Sequence, residues 1–248
     1  MKVFLCCLFL IVNILGTQAQ YTPASPSPYT MSWQVDAPIG GLSLGLGLTY
    51  ILLDRKTKPL TEESIMLLDR NKVWGIDRGA TKNWSPTMAK VSDGLMFGSM
   101  ALPGLLYIDP KVRKDYWKVG VIWAETFALT AALTSLTKVL VKRPRPYTYN
   151  PNAPMHKKLE RDAQYSFFSG HTSVTASMCF MTAKVFTDYN PGHKATPWVW
   201  ASAAVVPAVT AYLRYGAGKH FVTDVLIGYL IGAGVGILVP ELHKIRIR

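Results

Sequence analysis

Long apolar stretches separated by short polar ones organise this chain. Val3 to Leu15 is almost wholly apolar. Six further segments follow: Pro38–Leu53, Gly94–Ile108, Val119–Thr137, Phe167–Ala183, Ala195–Leu213 and Val225–Pro240. Of these, only Val119–Thr137 contains an acidic or basic residue, Glu125, if His171 is neutral. Polar residues do not recur at a helical period within them, so the pattern predicts helices that are apolar on most faces. Between them, residues 20–37 are rich in Pro, Ser and Thr and read as an extended lead-in. Residues 54–91 are polar and mixed, and predict an amphipathic helix near Ile65 to Trp74. No internal repeat is visible.

The fold class that follows is all-α: a membrane-embedded bundle of five to six core helices, built as one domain over 38–248. A membrane span needs about 20 predominantly apolar residues, and several of these segments sit at or below that length. A soluble bundle with buried helices therefore remains open. Two features favour the membrane. Gly, Ala, Ser and Thr are frequent, as in closely packed membrane helices. Tyr116, Trp117, Trp198 and Trp200 stand at segment ends, where interfacial aromatic residues gather.

Composition sharpens this picture. Hydrophobic residues make up 49% of the 248, which excludes a disordered chain. Charged residues are only 17%, below the roughly 25% of soluble domains. Three Cys are too few for a disulfide-stapled miniprotein. The N-terminus reads as a secretory signal, with Lys2, an apolar run and the small residues of Thr17-Gln18-Ala19. Cleavage after Ala19 defines a signal peptide over 1–19 and leaves Cys179 alone, without a partner for an internal disulfide.

The net charge of +12 is spread over loops between apolar segments. That argues against a nucleic-acid binder and for a chain at home beside anionic lipids. The stretch DPKVRKDYWK (109–118) and the tail HKIRIR (243–248) are both basic. The positive-inside rule places them in the cytoplasm, which turns the loop at 138–166 and the turn at 214–224 toward the periplasm. This expectation describes a multi-pass protein of a bacterial-type inner membrane. It conflicts in parity with a cleaved signal if Pro38–Leu53 crosses once. Either that segment does not span, or the signal is retained, or the charge reading is inverted.

Three polar clusters fall on the side assigned to the periplasm: Lys138 to Pro146, Ser166 to His171, and Arg214 to Asp224. Lys138 and Arg145 are seven apart, which places them on one helix face two turns apart. An Arg offers a planar fork that matches phosphate oxygens. Ser169-Gly170-His171 opens an apolar helix, whose free N–H groups favour an anion. His220 and Asp224, four apart, face one way on a helix, where a carboxylate can fix the imidazole tautomer. Each cluster alone also has a plain reading: a basic run at a helix end, an ordinary cap, a local His–Asp contact.

Together, K-x6-RP, SGH and R-x5-H-x3-D resemble the motifs of the type 2 phosphatidic acid phosphatase family. Its superfamily includes bacterial class A acid phosphatases and vanadium haloperoxidases. The motifs span 138–224; residues 1 to about 90 carry none of the resemblance. Phe168 stands where the family usually has Pro, and Leu213 where it usually has Ser. The resemblance implies a phosphatase that uses no metal or other cofactor. His220 attacks phosphorus to form a phosphohistidine, Asp224 orients His220, and His171 protonates the leaving oxygen and then activates water. Lys138, Arg145, Ser169, Gly170 and Arg214 bind the phosphate. The membrane setting implies lipid substrates: phosphatidic acid, phosphatidylglycerol phosphate, undecaprenyl pyrophosphate or a lipid A phosphate. Three alternatives remain: a soluble periplasmic non-specific acid phosphatase, a vanadate-dependent haloperoxidase, and a non-enzymatic membrane protein with a vestigial site.

Overall fold

The computed structural model describes residues 27–245, so the expected signal at 1–19 and the first part of the lead-in lie outside the described residues. Six long helices carry the architecture: α1 (Trp33–Asp54), α2 (Pro86–Ala101), α3 (Tyr116–Val141), α4 (Gly170–Tyr189), α5 (Thr196–Gly216) and α6 (Val222–Leu242). The 3-10 turn Leu102–Ile108 extends α2. The expected all-α bundle is therefore what forms. Its segments match the six apolar stretches, with ends shifted by up to eight residues, the most at the start of α2.

Three local expectations need correction. The lead-in does not stay extended to Ala37, because Ser32 caps α1 by accepting from the Gln34 N–H at 3.3 Å, and the helix runs on through Pro38. The expected helix over 65–74 is instead a short helix, Glu62–Met66, and a 3-10 turn, Arg70–Lys72. The Asp69 side chain starts that turn by accepting from the Asn71 N–H at 2.8 Å, a local bond that competes with a continuous helix. Lys138 and Arg145 do not share a helix face. Arg143 and Arg145 each precede a proline, which disfavours helical backbone, and α3 stops at Val141 with Lys142 left-handed at φ 48°.

Helix α4 is the hub, packed against α2, α3, α5 and α6. Neighbours shield it from the outside, so it tolerates the buried polar residues Thr172, Ser173, Thr175 and Ser177. Four stretches are long and apolar enough to cross a membrane: Trp33–Asp54, Pro86–Ile108, Tyr116–Tyr149 and Val222–Leu242. Leu44, Leu48 and Leu52 on α1, and Leu226 and Leu230 on α6, are exposed, an arrangement suited to lipid rather than water.

The closest helix contact joins α4 to α6. Gly228, Gly232 and Gly236 recur every four residues and face Ser169, Ser173 and Ser177, which recur in step. A Cβ on Gly232 would stand 2.1 Å from the Ser173 carbonyl oxygen; on Gly236, 2.4 Å from that of Ser177; on Gly228, 2.7 Å from that of Ser169. Glycine lets the two backbones approach, the device by which membrane helices pack without a hydrophobic driving force. It also sets the start of α4 directly beside the start of α6.

The bundle has two ends. At one, Asp54 at the close of α1 accepts from Arg161 at 2.9 Å and from the Tyr165 hydroxyl at 2.6 Å. At the other, Asp36 in the first turn of α1 meets His243 at 2.9 Å, and Tyr29 forms an antiparallel bridge with Lys244. Helix α1 therefore crosses the whole bundle. Ser27 and Lys244 therefore lie at the same end, opposite Asp54.

Candidate active site

The three motifs converge at one end of the bundle. Lys138 comes from the last turn of α3, Arg145 from the extended segment that follows, Ser169–His171 from the start of α4, Arg214 from the last turn of α5, and His220 and Asp224 from the start of α6.

The segment after α3 is held from both sides. The Arg145 N–H donates to the Ala163 carbonyl at 2.8 Å, the Ser166 N–H to the Arg143 carbonyl at 3.0 Å, and the Tyr147 N–H to the Gly218 carbonyl at 2.9 Å. The turn from α5 to α6 folds back so that the N–H groups of Lys219 and His220 donate to the Arg214 carbonyl, at 3.1 and 3.3 Å. Gly218 makes this turn possible. Its φ is +71°, and a Cβ there would lie 2.0 Å from the Asn83 carbonyl oxygen.

His220 is fully buried. Its Nε2 lies 3.1 Å from Arg145 Nη1, and a guanidinium can only donate. Nε2 therefore carries the lone pair, and Nδ1 carries the proton given to the Ser166 carbonyl at 2.7 Å. Burial, then Arg145, Arg214 and Lys138, push the His220 pKa down, so the ring is neutral. A neutral imidazole with its Nε2 lone pair directed into a cluster of cations is a nucleophile in waiting.

The expected direct contact between Asp224 and His220 does not form. Asp224 Oδ2 lies 3.7 Å from Nδ1, beyond hydrogen-bond distance. The carboxylate is committed elsewhere: it accepts from the Phe221 N–H at 2.9 Å, the Ser166 hydroxyl at 2.5 Å and Arg143 Nη1 at 2.5 Å. It reaches His220 through Ser166, whose carbonyl holds Nδ1–H.

Several donors are left for an anion. Arg214 is 4% exposed, and its Nε is buried with no hydrogen-bond partner. The Lys138 ammonium makes no hydrogen bond or ion pair among the described residues, while its carbonyl accepts from the Lys142 N–H that closes α3. Gly170 and His171 occupy the first two positions of α4, ahead of its first intrahelical donor. A Cβ on Gly170 would press on Thr134 Cγ2 at 3.2 Å and stand 3.4 Å from Lys138 Nζ, so glycine keeps this corner open. Ser169 caps α4: its Oγ accepts from the Thr172 N–H at 3.4 Å and pairs with Thr172 Oγ1 at 2.9 Å.

Four residues outside the expected set complete the neighbourhood. Asp93 on α2 accepts from His171 Nε2 at 2.6 Å. Asp162 holds Arg145 through its carbonyl and its carboxylate, at 2.9 and 2.7 Å. Burial alone would raise the Asp162 carboxyl, but Arg145 and Lys138 reverse this and hold it at about 2. Arg143 bridges Asp224 and Asp77, and its guanidinium lies 3.9 Å over the Phe221 ring. All four pair across long sequence separations that spacing within one chain does not display.

One cluster among the described residues has metal-ligand chemistry: Asp36, Glu125 and His243, at the opposite end of the bundle. His243 Nδ1 faces the Val239 carbonyl at 2.8 Å, while Nε2 faces Asp36 at 2.9 Å and Glu125 at 3.2 Å. Acceptors on both nitrogens require both protons, so the imidazolium itself serves as the cation there. An apolar cavity of about 640 Å³ between the Leu102–Ile108 turn, α4 and α5 includes none of the motif residues in its walls.

The model of the PAP2 superfamily matches residues 119–248. The chain is similar to the lipid A 4'-phosphatase of Porphyromonas gingivalis, 26% identical over 149 residues, which cover 58% of this chain and 59% of that protein. It is also similar to the undecaprenyl-diphosphatase of Sulfolobus acidocaldarius, 22% identical over 141 residues, covering 56% and 61%. The chain thus spans about three fifths of the length of these curated relatives. Among solved structures, a transmembrane PAP2-type phosphatidylglycerolphosphate phosphatase from Bacillus subtilis has the same fold. Its TM-score is 0.51 at 21% identity, over 81% of this chain and 94% of that one.

Proposed function

The chain belongs to the PAP2 superfamily, and on that premise we propose that it is a membrane phosphatase acting on lipid phosphomonoesters or pyrophosphates. The observation that carries this reading is the unpartnered, buried Nε of Arg214, set among Lys138, Arg145 and the first N–H groups of α4. An orphaned buried donor is costly unless a ligand supplies the acceptor. A phosphoryl group supplies several acceptors, and its developing charge is what such a cluster stabilises.

In the reaction we infer, His220 Nε2 attacks phosphorus while Nδ1–H stays on the Ser166 carbonyl. Lys138, Arg145, Arg214, the Ser169 hydroxyl and the Gly170 amide hold the equatorial oxygens. His171 gives a proton to the leaving oxygen and then takes one from the water that cleaves the phosphohistidine. Asp224 keeps Ser166 in place and offsets the positive charge that His220 gains.

The exposed apolar faces of α1 and α6 favour a lipid substrate over the soluble acid phosphatase alternative. The substrates named for the relatives make a lipid A phosphate and undecaprenyl pyrophosphate the first to test. We place the site on the periplasmic face of an inner membrane, on the basic character of 110–114 and the C-terminal tail. With Ser27 at the C-terminal end of the bundle, this orientation favours a retained N-terminal segment over a cleaved one.

The test is a phosphate-release screen over phosphatidic acid, phosphatidylglycerol phosphate, undecaprenyl pyrophosphate, lipid A and soluble phosphomonoesters, in detergent, with and without chelator. Release from at least one lipid, undiminished by chelator, is expected. Release from soluble esters alone would overturn the lipid assignment, and a requirement for metal would overturn the mechanism.

A further inference from the structure

We propose that Asp93 is the positioning residue of the general acid, fixing the tautomer of His171 and tying it to Arg214. The inference rests on the phosphatase reading above. Asp93 lies on α2, before the segment that matches the family model, and none of the three motifs contains it.

The geometry is specific. One oxygen, Asp93 Oδ1, lies 2.6 Å from His171 Nε2 and 3.2 Å from Arg214 Nη1. Arg214 Nη1 also donates to the neighbouring Ser92 hydroxyl oxygen at 3.2 Å. A carboxylate at 2.6 Å requires the proton on Nε2, so His171 holds the Nε2–H tautomer. Its other nitrogen, Nδ1, has no hydrogen-bond partner among the described residues and is the one available to substrate. The same oxygen fixes one arm of Arg214 and leaves Nε, on the other side of the guanidinium, unpaired. A single carboxylate thereby orients both the proton donor and one phosphate clamp.

Proton accounting is simple. In the first step the imidazolium Nδ1–H goes to the leaving oxygen. In the second, Nδ1 takes a proton from the attacking water. Nε2–H remains with His171 throughout, held on Asp93 Oδ1. The electrostatic need is clear from the surroundings. Burial first, then Arg214 from α5, Lys138 from α3 and Arg145 from the segment after it, all oppose a charged His171, and His220 lies close by. Asp162 and Asp93 are the carboxylates that oppose them. Among the described residues, Asp93 is the carboxylate that touches the ring.

The test is the pH profile of kcat/KM for Asp93→Asn and Asp93→Glu beside the wild-type chain. An opposite charge this close moves a pKa by about 1–3 units, and Asp93 is partly open to water, so the small end applies. The alkaline limb, set by protonated His171, is expected to move about one unit toward acid in Asp93→Asn. That shift lowers the rate about tenfold above both limbs. The acid limb, set by His220, stays. Asp93→Glu is expected to restore the limb.

A uniform loss with the alkaline limb unmoved would assign Asp93 a merely structural role and overturn the proposal. If Asp93→Asn fails to fold, Asp93→Ser replaces it, with the same two outcomes. Absence of phosphate release by the wild-type chain on every substrate would count against the phosphatase reading instead. The contact is then read directly from ¹⁵N-histidine spectra, with the His171 signal assigned by His171→Gln. A pure Nε2–H tautomer that becomes mixed in Asp93→Asn supports the proposal, and a tautomer unchanged by the substitution overturns it.

Discussion

Replacing Arg143 with methionine withdraws one guanidinium from between two buried carboxylates. Asp224 is 0% exposed and Asp77 1%, and Arg143 reaches them at 2.5 and 2.8 Å. It also donates to Thr223 Oγ1 at 2.9 Å and covers the Phe221 ring. Methionine keeps the apolar stem over Phe221 but leaves both acids without their cation. Removing one partner of a buried pair costs about 3–5 kcal/mol, because the remaining charge has no solvent. Arg143 is itself a quarter exposed, so water partly replaces it, and the lower end, about 3 kcal/mol, is the expected loss. For a domain of this size that corresponds to a fall of about 6–12 °C in Tm. The assay is thermal unfolding in detergent micelles, with Asp77→Asn and the double variant completing a cycle. Asp77 also accepts from the Thr223 N–H at 2.9 Å and hydroxyl at 2.6 Å, so Asp77→Asn is destabilising in its own right. The double variant is expected to lose clearly less than the sum of the two. A shift under about 2 °C for Arg143→Met, or strict additivity, would refute the buried-bridge reasoning.

Other expectations follow from the same structure. Gly232→Ala puts a Cβ 2.1 Å from a backbone oxygen of α4 and is expected to cost at least about 1–3 kcal/mol and most of the activity, since it pushes α6 off the start of α4. Gly234→Ala, on the same helix with nothing within 4 Å, is expected to be neutral or slightly stabilising, and equal Tm values for the two variants would refute the close-contact account. Burial would lower the His243 pKa, but Glu125, the Val239 carbonyl and Asp36 lift it to about 9. Its contribution is therefore full below about pH 6.5, the unfolded value, and is lost as pH rises through about 9. His243→Gln is expected to destabilise the protein at pH 6 and to remove that alkaline loss; a Tm–pH curve parallel to wild type would contradict this. A reporter fused after Arg248 tests orientation: a fluorescent cytoplasmic reporter and a silent periplasmic one are expected, and the reverse would turn the site toward the cytoplasm.

Much of the bundle was legible because a helix that meets lipid or a packed interior is apolar over most of its surface, so each of the six segments announces itself. Helix ends were less legible. Ser32 captured the start of α1 earlier than composition suggested, and two prolines ended α3 before Arg145, although the seven-residue spacing from Lys138 looked helical. The motif residues gather as their types and order implied, because each stands at a helix end that one close contact, α4 on α6, brings into register. The supporting residues were illegible for a physical reason. Asp93, Asp77 and Asp162 act by pairing with groups 17 to 146 positions away, on other elements. Arg143 was visible only as one cation of a basic run, and its place between two buried acids exists only once α6 and the 75–78 helix are docked. The Asp224–His220 spacing pointed to a direct bond. The cap of α6 took that carboxylate, and a backbone carbonyl took its place.

The central claim is that His220 carries the phosphoryl group. Its most direct test is to mix enzyme with ³²P-labelled lipid phosphate, quench in alkali within milliseconds, and map the label by peptide mass spectrometry. A phosphohistidine at His220 is predicted, absent in His220→Ala and accumulating in His171→Ala if leaving-group loss still proceeds slowly. Label on another residue, or normal turnover by His220→Ala, would contradict the account.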